Sequence, residues 1–262
     1  MQYDPIKNSM AWGIELFPPL RKLFFCILDL VLLRQWYVKR SIKKLFPSDY
    51  PIRFYDAGAG FCQYSDFILS NWQSSIAFAL DLKTDYVEAY AHFASNEYGK
   101  RFSWVGGDLV TYQPRHSYNL IAAIDILEHI ENDQQVLHNF YQCLSPGGKL
   151  IISTPSDLDE AARFTAEHVR PGYNPQELKD KLLAAGFFII IFGYSYGKWG
   201  KLSWLLTMKK PLQLIAISKL MILLLPVYYI FTYPLAWLLM QVDIRMDNKS
   251  GNGLIVVAEK RV

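Results

Sequence analysis

Four acids stand where apolar runs end: Asp56, Asp81, Asp108 and Asp125. Two histidines, His129 and His168, follow in or near loops. Carboxylates at such places accept hydrogen bonds from sugar hydroxyls, and an imidazole titrates close enough to neutrality to move a proton. The first acid opens Asp56-Ala57-Gly58-Ala59-Gly60, and an amphipathic stretch, Tyr64 to Trp72, comes next. Glycines there let backbone approach a ligand closely, and the helix N-terminus behind them offers free N–H groups. Asp81 follows Gly60 at about 20 residues, the separation that suits an acid reaching ribose hydroxyls. Position 63 is Gln63 rather than a third glycine, so the dinucleotide fingerprint fails. The plain alternative is a structural glycine turn, with the acids capping helices or solvated in loops.

The elements that must hold these residues alternate in type. Apolar runs predict strands at Ile52–Tyr55, Ile76–Leu80, Phe102–Val105, Asn119–Ile124 and Lys149–Thr154, with helices over roughly 62–71, 84–97 and 131–144. Such alternation implies a parallel sheet with helices on both faces and ligands at the carboxyl ends of the strands. A further helix starts at Asn174 (cap), Pro175 and Glu177 and stops at Gly186. Phe187 to Phe192 and Leu254 to Ala258 read as the last two strands.

The acid-x-Gly-x-Gly turn resembles the first motif of class I S-adenosylmethionine-dependent methyltransferases. Phe102-Ser103-Trp104-Val105-Gly106-Gly107-Asp108-Leu109, the strand ending Asp125-Ile126-Leu127-Glu128-His129, and Leu144-Ser145-Pro146-Gly147-Gly148 are similar to later motifs of that family, in order, across residues 52–197. Cys62 departs from a glycine that many members carry. The resemblance implies a Rossmann-like seven-stranded α/β sheet with an antiparallel last pair. It also implies S-adenosylmethionine as cofactor, held by Asp56, Gly58, Gly60, Asp81, Leu82, Asp108, Leu109 and Asp125. Asp56 would organise its methionine end and Asp108 its adenine amino group. Asp125 would stand near the reacting methyl, with His129 and His168 as candidate bases. Arg170 would hold an anionic acceptor or pair with a carboxylate, and Tyr173 would pack. Asp125, Glu128 and His129 would share one face if helical. They resemble an acid-x-x-Glu-His motif of ubiquinone-biosynthesis O-methyltransferases, which act on polyprenylated catechols at membranes. A divalent metal is thus an alternative expectation.

Two segments lie outside the resemblance. Residues 1–50 hold a short apolar run, Leu23 to Leu33, then Arg34, Lys39, Arg40, Lys43 and Lys44 among aromatics. The run is shorter than the roughly 20 residues of a bilayer span. It predicts a helix that lies in a membrane interface or covers the cofactor site or sheet. Met1–Asn8 is polar and lacks the order of a secretory leader. Residues 198–248 form an insertion before the final strand, 249–262. Within it Leu220 to Met240 carries no charge and by length alone could span a bilayer. Pro226 and Pro234 interrupt it. A re-entrant hairpin, interfacial helices or an apolar cap keeps the last strand in its sheet, whereas a true span would require that strand to be misread. Lys198, Lys201, Lys209, Lys210 and Lys219, with Trp199, Trp204 and Trp237, suit a membrane interface and would keep the domain on the cytoplasmic side.

The chain of 262 residues is 52% hydrophobic and 15% aromatic, with net charge +3. So mild a charge argues against a nucleic-acid partner held by phosphate contacts. Cys26, Cys62 and Cys143 form neither a disulfide framework nor a zinc pattern. The expected activity is methyl transfer to a lipid-like acceptor at the cytoplasmic membrane surface, with O-methylation of a phenolic or quinol lipid foremost. The alternatives are a small soluble acceptor, with the apolar segments as a cytoplasmic enzyme's lid or dimer interface, and a non-catalytic membrane adaptor.

Overall fold

The computed structural model describes residues 18–158 and 168–261, and the side chains from residue 20 onward within the first of these ranges. Met1–Asn8 lies outside them. The predicted strands form one seven-stranded sheet, ordered β3-β2-β1-β4-β5-β7-β6. The strands are β1 (Arg53–Ala57), β2 (Ile76–Asp81), β3 (Phe102–Gly106), β4 (Tyr118–Ile124), β5 (Leu144–Pro155), β6 (Phe188–Ser195) and β7 (Gly253–Glu259). The first five run parallel, while β7 is antiparallel to both β5 and β6. A crossover makes the order reverse between β1 and β4, and that is where ligands bind in open α/β sheets.

Alternate side chains along each strand feed opposite layers. On one face Tyr55, Ile121, Leu150, Ile152 and Val256 pack with α5 (Asp133–Cys143) and α6 (Pro175–Ala184) through Val136, Phe140, Leu178 and Leu182. On the other, Phe54, Leu120, Ile151 and Val257 meet α3 (Gln63–Asn71) and α2 (Leu33–Leu45) through Ile68, Val38 and Ile42. Local chemistry sets the helix ends. Asn132 and Asn174 each cap with a side-chain oxygen, and Gly186 at φ +95° stops α6.

The N-terminal segment covers both sheet and glycine turn. In α1 (Pro18–Val31), Phe24 and Phe25 pack on Ala59, Cys62 and Tyr90, the last from α4 (Thr84–Tyr98). The basic residues of α2 are largely engaged by protein: Lys39 pairs with Asp29, Lys39 and Lys43 lie over the Phe67 ring, and Arg40 donates to the Ile244 carbonyl.

The insertion leaves the sheet after Ser195 and returns at Gly253, and these two residues are partners in register. It runs through α7 (Lys198–Trp204), a π-helical stretch (Leu205–Lys209), α8 (Lys210–Ile217), a 3-10 segment (Lys219–Leu224) and α9 (Leu225–Asp243). β7 is seated between two neighbours, so the reading in which it is no strand fails. Pro226 sits in the first turn of α9, where its missing N–H costs nothing. Pro234 does not break the helix as expected but lies inside it. Tyr228 and Tyr229 hold α9 against the π-helical stretch by donating to the Leu206 and Thr207 carbonyls. Fully buried Asp243 accepts from Gly200 N at 2.8 Å and Tyr37 Oη at 2.9 Å. Thr207 donates to the Val31 carbonyl. The two segments flanking the core in sequence therefore form one joined layer.

Candidate active site

The turn after β1 turns on left-handed backbone. Gly58 takes φ +73° and Gly60 φ +50°. A Cβ on Gly58 would come within 2.5 Å of Ile126 Cγ1, whereas one on Gly60 would meet nothing within 4 Å. Gly58 is thus required by packing and conformation, and Gly60 borders open space. Cys62, the departure from the family pattern, also takes φ +60°. It adopts the conformation in which glycine is cheapest.

Asp81 closes this turn. Gly60 N donates to Asp81 Oδ2 and Lys83 N to Oδ1, each at 2.8 Å, and Gly58 N donates to the Leu80 carbonyl at 2.8 Å. Leu82 beside it is 67% exposed, an apolar surface of the kind a purine covers. Asp56 sits beneath the turn, buried, and accepts from Ser65 N at 3.1 Å and Ser65 Oγ at 2.7 Å. It ties the end of β1 to the first turn of α3. Burial pushes its pKa up to about 7, against the opposing pull of the two Ser65 bonds. Asp108 is exposed and accepts from Val110 N at 2.8 Å, and Leu109 is buried in the core. Buried Asn139 fixes that loop by donating to the carbonyls of Leu109 and Val110.

Asp125 ends up elsewhere than its neighbours in sequence. It has φ +49°, and its carboxylate forms an ion pair with Arg34 at the start of α2. The following Leu127–His129 is a short 3-10 turn, and Asp125 and Ile126 lie ahead of it, so residues 125–129 form no continuous helix that would stack them. The expected trio Asp125, Glu128 and His129 is therefore not assembled. Glu128, His129 and His168 are gathered instead, with donor atoms within 4.8 Å of one another. The two imidazoles, considered as separate candidates from the sequence, meet edge to face at 4.5 Å between ring centres. Glu128 is buried and accepts from Thr154 Oγ1 at 3.0 Å. Burial raises its pKa, with its own backbone N–H, His129, Thr154 and Arg34 opposing.

The loop that brings His168 in is anchored from two sides. Val169 N and Arg170 N donate to the Glu128 carbonyl. Arg170 pairs with buried Asp133 and donates to the carbonyls of Leu127 and Ile130, so it is a structural arginine. Tyr173 is fully buried, as expected, and its hydroxyl donates to Asp133 at 2.6 Å. Lys181 completes the cluster at 2.7 Å.

A cavity of about 140 Å³ adjoins Asp125. Arg34, Thr154, Tyr196, Lys201 and Trp204 are among its walls. Ser65, Thr154 and Lys201 carry no sequence signal for such roles. Arg34 stood out only as one of several basic residues, far along the chain from its partner. Together these groups can bind a nucleoside at the turn, seat an acceptor in the cavity and pass a proton along paired imidazoles. Four-coordinate metal sites hold donors about 2.1 Å from the ion, hence roughly 3.4 Å apart. The Glu128–His129–His168 donors, all within 4.8 Å of one another, are close enough to share a proton or an ion.

Residues 55–150 match the family model described as a methyltransferase domain. The ubiquinone biosynthesis O-methyltransferase of Rickettsia canadensis (strain McKiel) is 26% identical over 83 residues, which cover 32% of this chain and 35% of that protein. The chain thus matches about a third of the length of that curated relative. Phosphoethanolamine N-methyltransferase 2 of Haemonchus contortus, solved in complex with S-adenosyl-L-methionine, superposes with a TM-score of 0.61 at 18% identity, over 87% of this chain and 53% of that one. The [4+2]-cyclase SpnF superposes with a TM-score of 0.59 at 16% identity, over 86% and 81%. The fold is that of the class I methyltransferases. A cyclase among the neighbours is a reminder that fold alone does not select a reaction.

Proposed function

We propose that this chain, a class I methyltransferase fold, is an S-adenosylmethionine-dependent methyltransferase. One observation carries the reading: the clasp in which Gly60 N–H meets the Asp81 carboxylate, with open space at Gly60 and exposed Leu82 alongside. This arrangement presents an acid to ribose hydroxyls and an apolar face to adenine. Asp56 holds the turn from below. The bound donor supplies a methyl group on a sulfonium. The chain's task is then to hold the acceptor in line and dry, which can supply much of the rate.

Oxygen is the acceptor atom we favour. A hydroxyl or phenol must lose its proton, and His129 with His168, backed by buried Glu128, offers a place for it. The relative from Rickettsia canadensis carries O-methyltransferase in its name. Asp125 serves the acceptor side through Arg34 rather than as a base.

The acceptor is lipid-like and is met at the cytoplasmic membrane surface. Lys219–Asp243, 25 residues, holds an 18-residue window of mean hydropathy 1.8, long and apolar enough to cross a membrane, and only 11% of that window is buried. Leu223, Ile230 and Phe231 face outward there. In α1, Leu20, Leu23, Ile27 and Leu30 are exposed at helical spacing. Because the insertion returns to the sheet beside its point of departure, it lies on the bilayer or dips in as a hairpin. Flanking lysines favour an anionic leaflet. A second reading, a soluble acceptor under a lid, draws on the stitching of the insertion to α2 by Asp243 and Tyr37.

Calorimetric titration of the detergent-purified chain with S-adenosylhomocysteine, repeated with Asp81→Ala, is the test. Micromolar binding that falls at least about 100-fold in the variant is expected, since two hydrogen bonds to a charged group are worth roughly 1.5–3 kcal/mol each. No binding by the intact chain would sink the enzyme reading and leave the membrane-adaptor alternative.

A further inference from the structure

The cavity beside Asp125 has walls from three places far apart in sequence: Leu32 and Arg34 at the α1–α2 junction, Thr154 near the end of β5, and Lys201 and Trp204 on α7. None of Gly58, Gly60, Asp81, Leu82 or Asp108 lines it, and Asp125 is the one expected cofactor residue that does. Resting on the methyltransferase reading, we infer that this cavity binds the anionic head of an amphiphilic acceptor, with Arg34 and Lys201 as the anion-binding pair.

Charge gives the first argument. Two cations face a single carboxylate across the cavity. Arg34 engages that carboxylate through Nη1, so Lys201 leaves one positive charge in excess at the cavity. The Lys201 side chain is exposed and makes no ion pair among the described residues. Ser153, Ser195 and Tyr196 add hydroxyls suited to the remaining oxygens of a phosphate or carboxylate.

Size and surroundings give the second. At about 140 Å³, the cavity is well below the roughly 300 Å³ that encloses a drug-sized ligand. It takes a compact head and leaves a chain outside. Leu32 and Trp204 are where the walls pass into the two apolar segments: Leu32 follows α1, with Ile27 and Leu30 exposed, and Trp204 leads into the apolar insertion. A head in this cavity would thus place its chain toward the surface already read as membrane-facing.

The test uses the full chain in nonionic detergent with saturating S-adenosylhomocysteine. The probes are dihexanoylphosphatidic acid, dihexanoylphosphatidylcholine and glycerol 3-phosphate, titrated by calorimetry. The phosphatidic acid is expected to bind at least tenfold more tightly than either other probe. Lys201→Glu should weaken it tenfold or more and Lys201→Gln less, while S-adenosylhomocysteine affinity stays unchanged. Equal binding of the phosphatidylcholine would overturn the anionic head, and equal binding of glycerol 3-phosphate would overturn the amphiphile. A matching loss of S-adenosylhomocysteine affinity in Lys201→Glu would assign the cavity to the cofactor and overturn the proposal. Normal S-adenosylhomocysteine binding with no amphiphile binding defeats this inference and leaves the methyltransferase reading intact.

Discussion

Asp56 makes the protein less stable at neutral pH than in mild acid, and Asp56→Asn removes that liability. The carboxyl is buried and its pKa rises to about 7, against about 3.9 in an unfolded chain. Well below pH 4 the group is protonated in both states and the folded state bears no penalty. As pH climbs from 4 to 7 the unfolded chain ionises while the folded one holds its proton, so stability is lost and then levels off above 7. Three units at about 1.36 kcal/mol each set that loss at about 4 kcal/mol. Asparagine keeps an oxygen for Ser65 but exchanges charged for neutral acceptors, at a cost of about 1 kcal/mol. The variant is therefore expected to be about 3 kcal/mol more stable than the parent at pH 8 and about equal to it at pH 4.5, where ionisation of the unfolded carboxyl has already cost the parent about 1 kcal/mol. Urea unfolding of both proteins every half unit from pH 4.5 to 8.5 reads the difference directly, and shifts from other carboxylates cancel in it. Parallel curves across that range would refute the reasoning, because they would mean Asp56 ionises alike in both states.

Four further outcomes follow from the same geometry. Gly58→Ala forces a Cβ within 2.5 Å of Ile126 at φ +73°, so urea midpoints should report a loss of about 1–3 kcal/mol together with weaker S-adenosylhomocysteine binding. Asp133→Ala strands Lys181, Arg170 and Tyr173. Because both cations retain some solvent, the cost should fall near the lower end of the roughly 3–5 kcal/mol for a broken buried pair, and proteolysis should find the 168–173 loop loosened. His129→Asn and His168→Asn should each leave S-adenosylhomocysteine affinity within about twofold yet lower methyl transfer to an extracted lipid acceptor by about 10²–10⁴; full activity in both would remove the relay. Replacing Leu223, Ile230 and Phe231 together by serine should abolish flotation of the folded chain with anionic vesicles, and undiminished flotation would favour the soluble lid.

The order of strands and helices was legible because it rests on local patterns. Buried parallel strands read as apolar runs, Asn174-Pro175 and Gly186 mark helix ends by backbone rules that need no distant partner, and the spacing from Gly60 to Asp81 reflects one helix and one strand of ordinary length. The glycine turn was legible for the same reason, down to Cys62 standing where left-handed backbone favours glycine. The grouping of the candidate catalytic residues was not. Asp125, Glu128 and His129 would share a face only on a helix, but the segment is a positive-φ residue and a short 3-10 turn, and a loop held by Asp133 carries His168 in from beyond the fifth strand to Glu128 and His129. Nor did any pattern join Arg34 to Asp125, Tyr37 to Asp243, or Lys201 to the same cavity as Arg34. The sequence alone determined the fold and the glycine turn, since hydrophobic periodicity and backbone propensity act over a few residues. Only the tertiary structure decided which charged and titratable side chains face one another, because those meetings depend on how separate segments pack, and packing distance is unrelated to distance along the chain.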